Sequence, residues 1–256
     1  MNFSLLFSPG KLVERLAMEI AKRRRLGKLR NTPGADLKPG HIDSLELLEM
    51  ISHDHSVPAA AVIFDIGSNT GTWTLLAKSV LPAAVIHAFE PLPDHIQAFK
   101  KSCAGLKEIY LHQYCAGNEN AAGTLNVSSY SDSSSLLDAT PLEYEHFHIR
   151  KQKEEQVEIK KLSSLISGKM LPVPDIIKLD IQGFELEALK GTGDALHEVK
   201  YIICEVSFKE YYHRQALFLE IANYLNDYGF QLFAFGKNTP LGHELNQIDV
   251  LFKRLK

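Results

Sequence analysis

The chain has 256 residues, of which 45% are hydrophobic and 23% are charged, and its formal net charge is −3. This composition excludes a disordered or collagen-like chain, and the weak negative charge disfavours a nucleic-acid partner. The three cysteines form no Cys-x-x-Cys pair, so neither a disulfide framework nor a metal site is expected. No apolar run approaches the roughly 20 residues that span a bilayer, which favours a cytoplasmic location.

Residues 1–56 are predicted to form a basic, helical N-terminal extension. Residues 1–31 contain eight Lys or Arg against Glu14 and Glu19, a net charge of +6 that leaves −9 on the remainder. Apolar positions between Leu12 and Leu29 recur at helical spacing and predict a basic amphipathic helix. Such a helix favours docking on an anionic acceptor, a membrane surface or a second copy of the chain. The alternative is a helix packed on its own domain.

From residue 57 to residue 256 the pattern predicts one α/β domain, because strand-like apolar segments alternate with helical ones. A polar interval between Tyr130 and Glu158, where this periodicity lapses, is the expected place of a binding lid. Strands are predicted at 61–66, 84–89, 109–114, 123–128, 157–162, 175–180, 201–206, 230–235 and 248–252, and helices at 44–52, 72–80, 93–103, 185–189 and 215–228.

The strongest local signal is the sequence DIGSNTG at residues 65–71, which links the first strand of this domain to a helix. A glycine turn there lets a ligand approach the backbone at the helix N-terminus. Glu90 ends the second strand, 19 residues after Gly71, and can accept hydrogen bonds from both hydroxyls of a ribose. The two features predict a cofactor that contains adenosine. Its candidate binding residues are Asp65, Gly67, Ser68, Asn69, Thr70, Gly71, Glu90 and Pro91.

The turn also discriminates among adenosine cofactors. A dinucleotide fingerprint requires G-x-G-x-x-G, whereas Gly67 and Gly71 are four positions apart and no third glycine follows. A fixed carboxylate at Asp65 would repel a pyrophosphate but suits the ammonium group of S-adenosyl-L-methionine. The absence of GKS or GKT removes the P-loop interpretation. A nicotinamide-dependent dehydrogenase is therefore the least favoured alternative.

Three motifs together resemble the FkbM family of S-adenosylmethionine-dependent methyltransferases: DIGSNTG at 65–71, FEP at 89–91 and IKLDIQGFE at 177–185. The resemblance covers about Val62 to Phe252. It implies a class I methyltransferase fold, which is Rossmann-like and doubly wound, with seven strands of which the last is antiparallel. It also implies S-adenosyl-L-methionine as the cofactor, with Ala116 and Asp180 among its contacts. In this sequence Gln182 stands where the family usually has Glu.

The resemblance implies an O-methyltransferase for a hydroxyl of a sugar, polysaccharide or natural product, so a small-molecule or glycan acceptor is expected. An alcohol must lose a proton when its oxygen accepts a methyl group, which requires a nearby base. Asp180 is the first candidate, Glu205 at the end of the next strand is the second, and His213 further along the same edge is the third. Because of Gln182, a cofactor-binding module without turnover remains the alternative function.

Overall fold

The computed structural model describes residues 20, 21, 23–239 and 244–255. In chain order the strands are β1 (Val62–Ile66), β2 (Val85–Phe89), β3 (Ile109–His112), β4 (Cys115–Gly117), β5 (Ala121–Ser128), β6 (Lys151–Lys161), β7 (Ile176–Leu179), β8 (Tyr201–Ser207), β9 (Phe230–Thr239) and β10 (Gln247–Arg254). The helices are α1 (Leu45–Ser52), α2 (Thr72–Val80), α3 (Pro93–Ser102), α4 (Pro141–Phe147), α5 (Leu162–Ser167), α6 (Glu185–Thr192) and α7 (Phe218–Asp227), with short 3₁₀ turns at Pro39–His41, Ser131–Ser133 and Gly193–His197.

Seven strands form the main sheet in the order β3-β2-β1-β7-β8-β10-β9. β1, β2, β3, β7 and β8 pair in parallel, whereas β10 lies between β8 and β9 and is antiparallel to both. Seven residues separate the end of β9 from the start of β10, fewer than the dozen or so that a parallel crossover needs, so an antiparallel pair is expected. The predicted class I methyltransferase fold, with seven strands and an antiparallel last strand, is confirmed.

A second sheet of three strands, in the order β4-β6-β5, corrects two of the predictions. The predicted strand at 157–162 is the end of the much longer β6, which begins at Lys151 within the interval that was expected to be irregular. The predicted strand at 109–114 ends early, at His112 of β3, and the chain then enters the second sheet as the separate short strand β4. Most of β6 is exposed and charged, so its sequence carries no apolar alternation that would indicate a strand.

The described part of the N-terminal extension packs against one face of the main sheet. Leu29, Ile42 and Leu48 are buried in the same hydrophobic cluster as Ile63 of β1 and Leu251 of β10. This packing matches the alternative in which the extension packs on its own domain. Residues on both sides of the predicted domain boundary at residue 56 belong to the same hydrophobic cluster. The predicted helix from Leu12 lies largely outside the described residues.

Within the extension, ion pairs connect residues 23–28 to α1. Residues 23–28 are helical. Arg25 is buried and its Nε lies 2.5 Å from Glu46 Oε1, while Lys28 Nζ lies 2.7 Å from Glu49 Oε2. Part of the basic charge in this region is therefore neutralised within the molecule. No helix in the described ranges is both long enough and apolar enough to cross a membrane.

The carboxyl ends of β1, β2, β7 and β8 meet at one edge of the main sheet, and the backbone is most closely packed where β1 turns into α2. Gly67 has φ +80°, and a Cβ atom there would lie 2.0 Å from the carbonyl oxygen of Asp180. Only glycine fits such a close approach in a left-handed conformation. The turn after β1 is consequently held directly against the end of β7.

Candidate active site

A cavity of about 1000 Å³ opens at this edge of the sheet. The turn after β1, the end of β2 and the start of the second sheet form one part of its wall. Gly40–Ser44 and the segment between β5 and α4 contribute other parts, so the interval expected to hold a lid does border the cavity. The predicted cofactor-binding residues that line it are Gly67, Ser68, Asn69, Thr70, Glu90, Pro91, Ala116 and Asp180.

Glu90 is fixed in place by backbone amides of both adjoining turns. The backbone N–H of Asn69 donates to Glu90 Oε2 at 3.0 Å, and that of Leu92 donates to Oε1 at 2.9 Å. The His95 ring nitrogen Nδ1 lies 3.2 Å from Oε1. These contacts preorganise the carboxylate at the cavity wall, where its remaining lone pairs can accept further hydrogen bonds.

Asp65 does not reach the cavity, which differs from its predicted role beside the cofactor. Its side chain is fully buried and accepts a hydrogen bond from Thr74 Oγ1 at 2.6 Å. Its Oδ1 lies 3.5 Å from Lys178 Nζ, and that ammonium donates to the carbonyl oxygen of Gly67 at 3.0 Å. Asp65 is therefore linked to the turn after β1 through Lys178.

Gly71 is the second predicted cofactor residue that does not line the cavity. It has φ +88° and precedes α2, where a Cβ atom would lie 2.9 Å from Cys103 Sγ and 3.0 Å from Phe99 Cδ2. The glycine is required for packing against the end of α3 and for its left-handed backbone.

Lys178, which the sequence interpretation missed as a site residue, lies at the centre of a group of carboxyls. Burial lowers the pKa of its ammonium, but Asp180, Asp65, Asp249 and Glu205 raise it by more, so the net direction is upward. The ammonium therefore stays charged, and it lies 3.7 Å from Asp180 Oδ2. The presence of a lysine inside the otherwise apolar strand β7 could have indicated a site residue.

The two leading candidates for the base are brought together by Gln182. Gln182 Nε2 donates to Asp180 Oδ1 at 3.0 Å and to Glu205 Oε2 at 2.9 Å. Both carboxyls line the cavity, and the Asp180 side chain is 40% exposed. Burial raises the pKa of Glu205 well above its usual range, and the charges of Asp180, Asp249 and Glu185 add to the increase.

Asp249 is a further cavity residue that sequence reasoning missed. It faces Glu205 in the antiparallel pairing of β10 with β8, and its Oδ2 accepts a hydrogen bond from Ser44 Oγ at 2.6 Å. Burial raises the pKa of Asp249 to about 6, although the Ser44 bond opposes the increase. An aspartate between Ile248 and Val250, inside a predicted buried strand, could have indicated this role.

The structure does not place His213, the third candidate base, in the cavity. Its side chain is exposed, and its backbone N–H donates to the carbonyl oxygen of Asp138. The preceding residue, Tyr212, is buried instead and its hydroxyl lies 3.1 Å from Gln182 Oε1 and 3.3 Å from Glu143 Oε1. Of these two adjacent residues, Tyr212 contacts Gln182, whereas the His213 side chain lies on the surface.

The residues that line the cavity fit S-adenosyl-L-methionine. Glu90 would hold the ribose hydroxyls, and Gly67, Ser68 and Asn69 of the turn after β1 line the same cavity. The wall also contains apolar residues that would suit adenine, among them Leu92, Ala116 and Phe184. Among the described residues, no group of three or more His, Cys, Asp or Glu could hold a metal ion.

This sheet order, together with an acidic residue at the end of β2 and a glycine turn after β1, defines a class I methyltransferase. The family model of the methyltransferase FkbM domain matches residues 65–232, more than half of the chain. The chain thus belongs to the FkbM family of S-adenosylmethionine-dependent methyltransferases, which confirms the resemblance of its motifs.

Two curated relatives and one solved structure are similar to this chain. The hexuronic acid methyltransferase AglP of Haloferax volcanii is 30% identical over 151 residues, which cover 57% of this chain and only 55% of that protein. The 2-O-methyltransferase NoeI of Sinorhizobium fredii is 25% identical, with coverage of 60% and 66%. Among solved structures, the magnesium protoporphyrin IX methyltransferase ChlM of Synechocystis, with bound cofactor, has a TM-score of 0.48 at 12% identity and covers 93% of this chain and 91% of that chain.

Proposed function

We propose that this protein transfers the methyl group of S-adenosyl-L-methionine to a hydroxyl oxygen of a sugar, polysaccharide or natural-product acceptor. The observation that carries the proposal is the Asp180 carboxylate on the cavity surface, held by Gln182 and Lys178 at the edge that also presents Glu90. Two relatives support an oxygen acceptor, because their names describe a hexuronic acid methyltransferase and a 2-O-methyltransferase.

In this proposal Asp180, Glu205 and Lys178 have different roles in the reaction. When bound, the cofactor supplies an already activated methyl group, so the protein has to align the acceptor and remove its proton. Burial raises the pKa of Glu205, whereas the Asp180 side chain is 40% exposed at the cavity, so we assign to Asp180 the role of accepting the proton of the acceptor hydroxyl. Lys178 orients Asp180 and also binds the Gly67 carbonyl, so the base and the cofactor turn are positioned by one ammonium.

The proposal is tested by incubating the full chain with radiolabelled S-adenosyl-L-methionine and a panel of hydroxylated acceptors. Transfer of label to an acceptor oxygen, located by mass spectrometry, is the expected result. Tight cofactor binding without transfer to any acceptor would instead support the cofactor-binding module, and label on a nitrogen or carbon atom would contradict the choice of oxygen.

The charge of the cavity predicts which hydroxyl compounds are accepted. Asp43, Glu143, Asp180 and Asp249 line it, and Lys178 is the cation beside two of them. Like charges brought together at a binding site cost several kcal/mol, so we expect at least about a tenfold higher kcat/KM for a neutral glycoside than for its uronic acid. A matched glucoside and glucuronide, assayed at one pH and ionic strength, measure this ratio. Equal rates, or faster reaction of the glucuronide, would contradict the prediction.

Replacing Glu90 by Gln is expected to weaken cofactor binding about ten- to a hundredfold, because the ribose hydroxyls lose a charged acceptor worth roughly 1.5–3 kcal/mol. Calorimetric titration with S-adenosyl-L-methionine measures the loss. Glu119→Gln, which removes the same charge at an exposed position outside the cavity wall, is the matched control. An unchanged Kd in a folded Glu90→Gln protein would show that Glu90 does not bind the cofactor.

A further inference from the structure

Gln182 occupies an unusual backbone position at the cavity wall. Its φ is +56°, in the left-handed region that side chains other than Asn, Asp and Gly seldom adopt. Its carbonyl oxygen accepts a hydrogen bond from Ser135 Oγ at 2.7 Å, which ties this strained turn to the segment between β5 and α4. Such strain persists only where surrounding contacts hold it, and it directs the Gln182 amide between two carboxyls.

Charge and a neighbouring hydroxyl fix the orientation of that amide. Its NH₂ group lies within 3.0 Å of oxygens on both Asp180 and Glu205. If the amide were turned round, its oxygen would face the Asp180 carboxylate, which offers no proton. The Tyr212 hydroxyl, which has one proton to donate, lies 3.1 Å from Gln182 Oε1, and this is the shortest of its three contacts with acceptor oxygens. The other two are the Ser133 carbonyl oxygen at 3.2 Å and Glu143 Oε1 at 3.3 Å. Burial raises the pKa of Tyr212, so that hydroxyl remains a donor across the working pH range.

Titratable groups on every surrounding element face this pair of carboxyls. The nearest charge of opposite sign is Lys178, on the same strand as Asp180. The others are Asp65 on β1, Asp249 on β10, Glu185 on α6, Glu143 on α4 and Tyr212 in the loop after β8. Carboxyls outnumber cations in this group, so a further carboxylate beside Asp180 and Glu205 would oppose their ionisation.

We propose that Gln182 is a positioning residue that bridges the base Asp180 to Glu205, with Tyr212 setting the direction of the bridge. The inference rests on the proposed function. An amide can donate to both carboxyls at any pH, whereas a glutamate at this position could donate only when protonated. The bridge occupies Asp180 Oδ1 and leaves Oδ2, on the side of Lys178, to accept the proton of the acceptor.

The test compares full-length Gln182→Glu with the wild type over a range of pH. On the acidic side of the profile, the pH of half-maximal kcat should rise by about one unit, which lowers kcat there about tenfold. The KM for the cofactor should stay the same, because Gln182 does not hold the cofactor in this scheme. Gln231→Glu, the same change at an exposed position on β9, should leave the profile at its wild-type position. An unshifted profile in a folded Gln182→Glu protein would overturn the proposal.

Tyr212→Phe adds an independent test of the bridge. The substitution should lower kcat about three- to tenfold in the wild type and have no further effect in a Gln182→Ala background, because the two residues act through one contact. Full additivity of the two losses would overturn the role given to Tyr212. A thermal melt identifies a variant that no longer folds, because such a variant has no cooperative unfolding transition.

A measurement without turnover separates this inference from the proposed function. Difference infrared titration of the unliganded protein should show a protonated carboxyl at neutral pH that disappears in Glu205→Gln, and a second one that appears in Gln182→Glu. If Gln182→Glu adds no protonated carboxyl and leaves the titration of the cluster unchanged, the bridge is wrong. If the wild type methylates no hydroxyl acceptor, the proposed function fails, while this titration still decides the bridge.

Discussion

Asp180→Asn is expected to lower kcat about 10²- to 10⁴-fold, the usual contribution of a positioned general base. The substitution keeps the size of the side chain and still offers an oxygen to Gln182 Nε2, but it cannot take up the acceptor proton. Because the Asp180 side chain is 40% exposed at the cavity surface, the Tm should remain close to that of the wild type. Initial rates with a saturating acceptor, together with a thermal melt, measure both effects.

Asp227→Asn is the matched control, since it makes the same change at an exposed position at the end of α7. Its kcat should equal that of the wild type. Full turnover in Asp180→Asn would contradict the assignment and transfer the role of base to Glu205 or to solvent. A parallel loss of Tm would instead mean that Asp180 serves the fold.

A protein shortened to begin at Asp43 is expected to lose its stable fold. The deletion removes Leu29, Leu37 and Ile42, which are buried against the main sheet. Burial of three such side chains contributes roughly 5–9 kcal/mol, a large part of the roughly 5–15 kcal/mol by which domains are stable. Urea denaturation followed by circular dichroism measures the loss. A shortened protein that melts cooperatively at the wild-type temperature would contradict this prediction.

The double substitution Arg23→Gln and Arg24→Gln provides the control for that deletion. Both side chains are exposed, so their charge can be removed while the buried contacts remain, and the Tm should not change. The same variant examines the predicted docking of the basic extension. Weaker sedimentation with anionic vesicles than the wild type would support membrane docking, and equal sedimentation would contradict it.

The sequence could predict that the turn after β1 and the acidic end of β2 lie at one cavity, because the signals for both are local. A strand, a glycine turn and an acidic residue at the next strand end occupy fewer than thirty consecutive positions between Val62 and Glu90. The direction of Asp65 could not be predicted, since β1 is buried on both faces and therefore lacks the alternation that tells one face from the other.

The rest of the cavity wall was harder to predict because its residues come from distant segments. Choosing between Tyr212 and His213 requires the path of a loop, which no periodic pattern determines. Gln182 was noticed as a departure from the family motif, but its two carboxyl partners become apparent only when β7 and β8 lie side by side. The charged β6 was missed because a strand in a small exposed sheet has no apolar face to reveal it.

The position of β10 between β8 and β9 has a consequence for the order in which the cavity wall folds. The strand that supplies Asp249 inserts into the interior of the sheet, and there Asp249 meets Ser44, 205 positions earlier. Contacts between residues so far apart in the sequence form slowly, because closing the long loop between them costs conformational entropy. The part of the cavity wall that contains Asp249 is therefore expected to form later than the turn between β1 and α2, whose residues are consecutive in the sequence.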